Sequence, residues 1–175
     1  MRALHLVFEH SLEASRAALF AFHERPANLA LLQRRWPGFR LLSHAATIET
    51  GARMEISVRF GPVWLPLTMV HFVHEPPERF GERQVRGPFR RLEHVHEFVE
   101  LPAGGAGGDD LSGPGTLIRD RLDVALPWYL GGPLADRLIV APIFRRWFAY
   151  RHAELAELVA EGLVPGAGPA RGGGA

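Results

Sequence analysis

The sequence predicts an α+β fold, one antiparallel sheet with its helices gathered on one side, and three observations carry that expectation. Short segments of period-two hydrophobicity, separated by turn residues, run from Phe39 to Val99 and resume at Thr116. A further such segment opens the chain and leads into two helical stretches. A long segment of helical period, Pro133 to Glu161, closes it. Strands in a run followed by a helix, without strand-helix alternation, give segregated layers and not a parallel sheet.

Each element has a local reason. "ALHLVFEHS" alternates as a first strand, and Ser11 is the expected cap of a helix whose apolar face is Leu12, Ala18, Leu19 and Phe22. A shorter helix follows Pro26, with Asn28 near its start and Pro37-Gly38 at its end. In "ARMEISVRF", Met54, Ile56, Val58 and Phe60 form a dry face, and Arg53, Glu55, Ser57 and Arg59 a wet one. Turns are marked at Glu49 to Gly51, Gly61-Pro62, Pro76-Pro77 and Gly87-Pro88. In "TLIRDRLDVAL", Thr116, Ile118, Asp120, Leu122, Val124 and Leu126 share one face, while Arg119 and Arg121 mark the solvent side. The closing helix carries Val140, Phe144, Trp147, Phe148, Leu155, Leu158 and Val159 at helical spacing, with a kink or break expected at Pro142.

One domain is expected over residues 1–162. The glycine-rich stretch 102–115 reads as a flexible hairpin loop, and the Gly/Pro/Ala tail 163–175 as disordered.

Composition excludes several function classes. The 175 residues, 47% of them hydrophobic, are enough to bury a core or surround a cavity. There is no cysteine, so disulfides, zinc-thiolate centres and thiol nucleophiles are ruled out. The net charge is +1 and the arginines are interspersed with acids, which argues against nucleic acid as a partner. The apolar run near the start is broken by Glu9 and His10, too early for a signal peptide or a membrane span. A cytoplasmic protein without membrane insertion is therefore expected. No Gly-x-Ser-x-Gly elbow occurs, and "GGAGG" lacks the context of a phosphate-binding loop.

In their order and spacing, "ALFAFHERPANLALL", "RFGPVWLPLTM", "FGERQVRGPFRRLEHVHEF", "LIRDRLDVALP" and "WFAYRHAEL" cover nearly the whole chain. On these segments the sequence resembles the START/Bet v 1-like superfamily, which includes polyketide cyclase/dehydrase-related domains. The resemblance implies a helix-grip fold, a curved seven-stranded antiparallel sheet wrapping the long C-terminal helix, with a cavity between them. It also implies binding of hydrophobic small molecules, and in some members cyclisation, dehydration or hydrolysis in the same cavity.

The stretch "RRLEHVHEFVE" raises the sharpest question. Leu92, His94, His96 and Phe98 share the inward face, since Glu93 and Glu97 mark the outer one. Three fates are open to the histidines: interior groups held by hydrogen bonds, metal ligands, or a polar patch in a ligand cavity. The spacing of Gly87, His94-x-His96, Glu100 and Gly107 resembles the first motif of a cupin, with one residue too many before His94. A cupin needs another histidine on a later strand, whereas the only later one is His152 in the final helix. No metal and no cofactor are expected, although Asp120 is the third ligand available to such a site.

As a cavity, the polar groups would be Gln84, His94, His96 and Asp120, and the apolar wall Trp64, Phe98, Phe144 and Phe148. A hairpin nearly centred on residues 102–115 sets His96 opposite Asp120; a shift of two residues pairs Asp120 with His94. The function expected is binding of a hydrophobic or aromatic small molecule. One alternative is a cyclase, dehydratase or hydrolase using His96 and Asp120 for proton transfer, and another is an interaction module with a filled cavity. His71 and His74 have opposite parity and receive no role. Arg151 is either solvated or an anchor of the last helix.

Overall fold

The computed structural model describes residues 3–102 and 114–167. Seven strands form one antiparallel sheet: β1 (Leu4–Leu12), β2 (Phe39–His44), β3 (Arg53–Phe60), β4 (Val63–Glu75), β5 (Arg79–Arg86), β6 (Arg91–Leu101) and β7 (Gly115–Ala125). Their spatial order is β1-β7-β6-β5-β4-β3-β2, so hairpins connect every pair from β2 onward while β1 closes the far edge against β7. Helices α1 (Arg16–His23) and α2 (Asn28–Leu32) connect β1 to β2. Helix α3 (Gly132–Ala135), a π-helical turn at Asp136–Val140 and helix α4 (Ala141–Ala160) complete the described fold. This is the α+β helix-grip architecture, with α4 packed against the sheet.

Several local expectations shift. Ser15, not Ser11, caps α1 by accepting from the Ala18 amide at 3.2 Å; Ser11 pairs with Leu117 inside β1. Phe60 is exposed at the end of the β3–β4 hairpin, and Ser57 is buried instead. The closing segment is three pieces and not one helix, with Pro142 in the first turn of α4 directly after the π-helical turn. Before that break Leu134, Leu138 and Ile139 are exposed, while buried Asp136 accepts the Leu126 amide at 2.8 Å. In the first residues of the tail, Val164 and Ala167 are buried in the cluster around α1. Residues 103–113 of the expected loop and 168–175 of the tail lie outside the described residues.

The apolar interior is split in two. Leu19, Phe20, Phe98, Ile118, Leu155 and Leu158 belong to one cluster under α1 and the end of α4. Met54, Ile56, Leu92, Leu122, Val124, Phe144 and Phe148 belong to a second, under the start of α4. Along β6 and β7 the inward positions pass from the second cluster (Leu92, Leu122) to the first (Phe98, Ile118), and the polar rung of His94, His96 and Asp120 lies between. Burial of each large side chain contributes about 1.5–3 kcal/mol.

Outside the sheet, the turn that follows α2 is tied to α4 by charge. Arg34 Nε donates to Glu154 at 2.5 Å, Arg35 Nε donates to its other oxygen at 2.9 Å, and the Glu154 side chain is fully buried. Burial raises the Glu154 carboxyl, but hydrogen bonds from Arg34 and Arg35 outweigh this and hold it below its usual value. A group depressed in the folded state contributes stability above its unfolded pKa and loses it as the pH falls through the folded value. Glu154→Gln should therefore destabilise by about 2 kcal/mol at pH 7. Denaturant melts of both proteins should converge in acid, below the pH at which an ordinary glutamate protonates.

Candidate functional site

The register of β6 and β7 places His96 directly opposite Asp120, and β5 adds Phe80 opposite His96 and Glu82 opposite His94. Four polar side chains thus meet on the inward face of three adjacent strands. Close approach is built in at Gly81, where a Cβ would stand 3.0 Å from the His94 carbonyl oxygen and 3.0 Å from a Val73 methyl.

Asp120 is the centre of the cluster. Its Oδ1 accepts from His94 Nε2 at 2.9 Å and lies 2.6 Å from His96 Nδ1, and its Oδ2 lies 3.3 Å from His152 Nε2 on α4. The opposite nitrogens of both strand histidines turn to Glu82: His94 Nδ1 is 3.1 Å and His96 Nε2 3.8 Å from Glu82 Oε1. The two rings are 3.8 Å apart between centroids, as next-but-one neighbours on one strand face can be. His94, His96, Glu82 and Asp120 are all buried.

Charge follows from that burial. Desolvation would raise the Asp120 carboxyl, yet the charge of His96 and hydrogen bonds from His152, His94 and His96 hold it well below the usual carboxylate range. Glu82 behaves alike: burial pushes it up, and His94 and His96 pull it well down. Burial pushes His94 down, but Glu82 and Asp120 on either side outweigh this and raise it. His23 is different, pushed down to about 3, first by burial and then by the nearby His96 ring. It is a neutral imidazole whose Nδ1 donates to the Leu19 carbonyl at 2.7 Å, which leaves Nε2 as an acceptor.

A cavity of about 50 Å³ adjoins this wall, lined by His23, Leu32, Ile48, Met54, His71, Phe80, Glu82, His96 and Arg151 among others. A smaller recess of about 10 Å³ reaches Asp120 and His152. Arg151 is buried, its guanidinium 5.4 Å from the Trp147 ring centroid and 5.5 Å from that of Phe148.

Of the residues singled out in the sequence, His94, His96 and Asp120 come together, with the Phe148 ring edge-on to His94 at 5.3 Å and stacked on Phe8 at 4.4 Å. His96 lines the larger cavity and Asp120 the recess, whereas His94, Phe148 and four others line neither. Trp64 lies near the β3–β4 turn under the Arg40 guanidinium, 3.9 Å from its ring centroid. Gln84 closes the β5–β6 turn, donating to the Phe89 carbonyl at 2.7 Å and accepting from its amide at 3.4 Å. Phe98 is enclosed by Phe20, His23 and Phe80 in the first cluster. Phe144 packs on Phe89 and Trp147 in the second. Glu82, His23, His71 and His152 are the site residues that the sequence reading passed over. Glu82 shares strand parity with Phe80 and Gln84, a signal already present in "RFGERQ".

No protein-family model matches the sequence, and no curated protein sequence does. Solved structures do match in fold. A START superfamily protein from Mycobacterium smegmatis superposes with a TM-score of 0.62 at 14% identity, over 90% of this chain and 97% of its own. A Nitrosomonas europaea protein, NE0264, gives 0.65 at 12% identity, over 91% and 96%. Norcoclaurine synthase from Thalictrum flavum, solved with dopamine and hydroxybenzaldehyde, gives 0.60 at 13% identity, over 91% and 89%. The fold is that of START/Bet v 1 proteins. Among the described residues, no helix is long and apolar enough to cross a membrane.

The cluster makes unequal demands on two aspartates of one strand. Asp120→Asn should cost about 3 kcal/mol, because His94 and His96 lose a buried counter-charge. Asp123→Asn, on the outer face beside His5 and Arg91, should cost less than about 1 kcal/mol. Urea melts of the two variants at pH 7 check the contrast.

Proposed function

We propose that the protein binds a small molecule in the cavity between the sheet and α4. The observation that supports this reading best is the composition of the cavity wall. Leu32, Ile48, Met54 and Phe80 supply apolar surface, while Arg151, His23 and His71 supply a few polar groups, the mixture typical of small-molecule sites. At about 50 Å³ the space takes one small limb of a ligand, and the rest of the molecule needs the wall to open. The ligand class is a largely apolar or aromatic molecule with a carboxylate or carbonyl acceptor directed at Arg151. Similarity of fold to a synthase solved with two aromatic compounds is compatible with this class and does not assign it.

Catalysis by a free-standing His96–Asp120 pair is less well supported. Asp120 is shared by three imidazoles, and Glu82 faces the other edge of His96. An interaction module with a filled interior is less well supported too, since the cavity persists beside charged groups.

The test is affinity capture of small molecules from an extract of the source cells by the full chain, read by native mass spectrometry. A bound mass should survive buffer exchange. Ile48→Phe, which fills the void, should lower its retention at least tenfold while the melting temperature stays within about 5 °C. Absence of any retained mass, or equal retention by Ile48→Phe, would contradict the proposal.

A further inference from the structure

We infer that Glu82, His94 and His96 form a site for one divalent first-row transition-metal ion, with zinc the best match to its donors, and that Asp120 orients both imidazoles. The inference goes beyond ligand binding and stands on the donor atoms alone.

Glu82, His94 and His96 each offer one donor atom within 4.8 Å of the others, and the nitrogens that face Glu82 are His94 Nδ1 and His96 Nε2. Zinc at its usual distances of about 2.0–2.2 Å from nitrogen and oxygen sets neighbouring donors roughly 3.3 Å apart. The distances from Glu82 Oε1, 3.1 Å to His94 and 3.8 Å to His96, bracket that value, so small ring rotations bring the three onto one ion.

Two independent features single this cluster out from an ordinary buried ion pair. The first is Asp120, whose Oδ1 lies 2.9 Å from His94 Nε2 and 2.6 Å from His96 Nδ1, the nitrogens on the far side of each ring. A carboxylate behind a histidine fixes the tautomer that leaves the other nitrogen free for metal, and here one carboxylate does so for two ligands. The second is Glu82 Oε2, which is buried and has no hydrogen-bond partner among the described residues. A buried carboxylate oxygen without a partner is costly, and a cation held by both Glu82 oxygens would remove that cost. Two imidazoles and one carboxylate disfavour magnesium and calcium, which take oxygen, and suit zinc or its neighbours. Glu82 and His96 also line the 50 Å³ cavity, so a fourth coordination position would face it.

The experiment uses the full chain stripped by chelator dialysis. Zinc binding is followed by calorimetry, and cobalt binding by the visible absorption of a tetrahedral complex. We expect one ion per chain with a dissociation constant at or below micromolar. Glu82→Gln and His96→Gln should each weaken binding at least a hundredfold, and Asp120→Asn, a positioning change, ten- to a hundredfold. His5→Gln and His44→Gln, on the surface, should change nothing. Glu82→Gln keeps the side-chain shape, and circular dichroism verifies its fold; should His96→Gln fail to fold, Glu82→Gln carries the test. Ile48→Phe should retain the metal while losing the small molecule, which separates this inference from the ligand reading. No saturable binding by the folded wild type, or binding that Glu82→Gln leaves within threefold, would overturn it.

Discussion

A buried carboxylate on the inward face of the sheet is the constraint on which the rest of the structure depends. Asp120 cannot remain ionised there unless donors surround it, and three imidazoles do so from two layers: His94 and His96 beside it in the sheet and His152 above it on α4. This requirement fixes the β6–β7 register, since a slip of one residue would put Arg119 or Arg121 inside. It also fixes the rotation of α4 about its axis, because His152 reaches Asp120 only while Phe148 stacks on Phe8 and Leu155 enters the first apolar cluster.

The split interior follows from the same constraint. Two apolar clusters could have been continuous if residues 94, 96 and 120 were aliphatic, and a rung of that kind is often as stable as a buried ion cluster or more so. Glu82, His94, His96 and Asp120 therefore add little net stability for what their desolvation costs. Their value lies in specificity and chemistry: a rigid wall, charged on one side of a cavity whose opposite side holds a neutral His23 and a cationic Arg151. The rigidity comes from sharing, because Asp120 holds one nitrogen of each of three rings and Glu82 faces the other nitrogen of the two strand histidines.

Much of this was legible in residue parity. The alternation of Leu92, His94, His96 and Phe98, and of Ile118, Asp120, Leu122 and Val124, is enough to turn His94, His96 and Asp120 inward, and the hairpin between them supplied the register. Glu82 was hidden by habit: an acid between Gly81 and Arg83 looks solvated, and only its parity with Phe80 says otherwise. Without Glu82, the third metal ligand that parity offers is Asp120, which stands on the wrong side of the rings. His23 and Arg151 depend on how α1 and α4 rotate against the sheet, which strand periodicity does not encode. Trp64, Phe98 and Phe144 have the composition of a cavity wall, but position along the strand or helix, not residue type, decides between wall and core. Val164 and Ala167 show the converse, as small apolar residues in a glycine-rich tail still found a place to pack.

Nitrogen-detected NMR of the histidine rings in the metal-free protein tests the central claim most directly, that Asp120 holds both strand imidazoles by their inner nitrogens. The account predicts slowly exchanging protons on His96 Nδ1 and His94 Nε2, each lost or shifted in Asp120→Asn and unlike the averaged signals of surface His5 and His44. An unprotonated Nδ1 at His96, or ring signals that average as those of the surface histidines do, would contradict it.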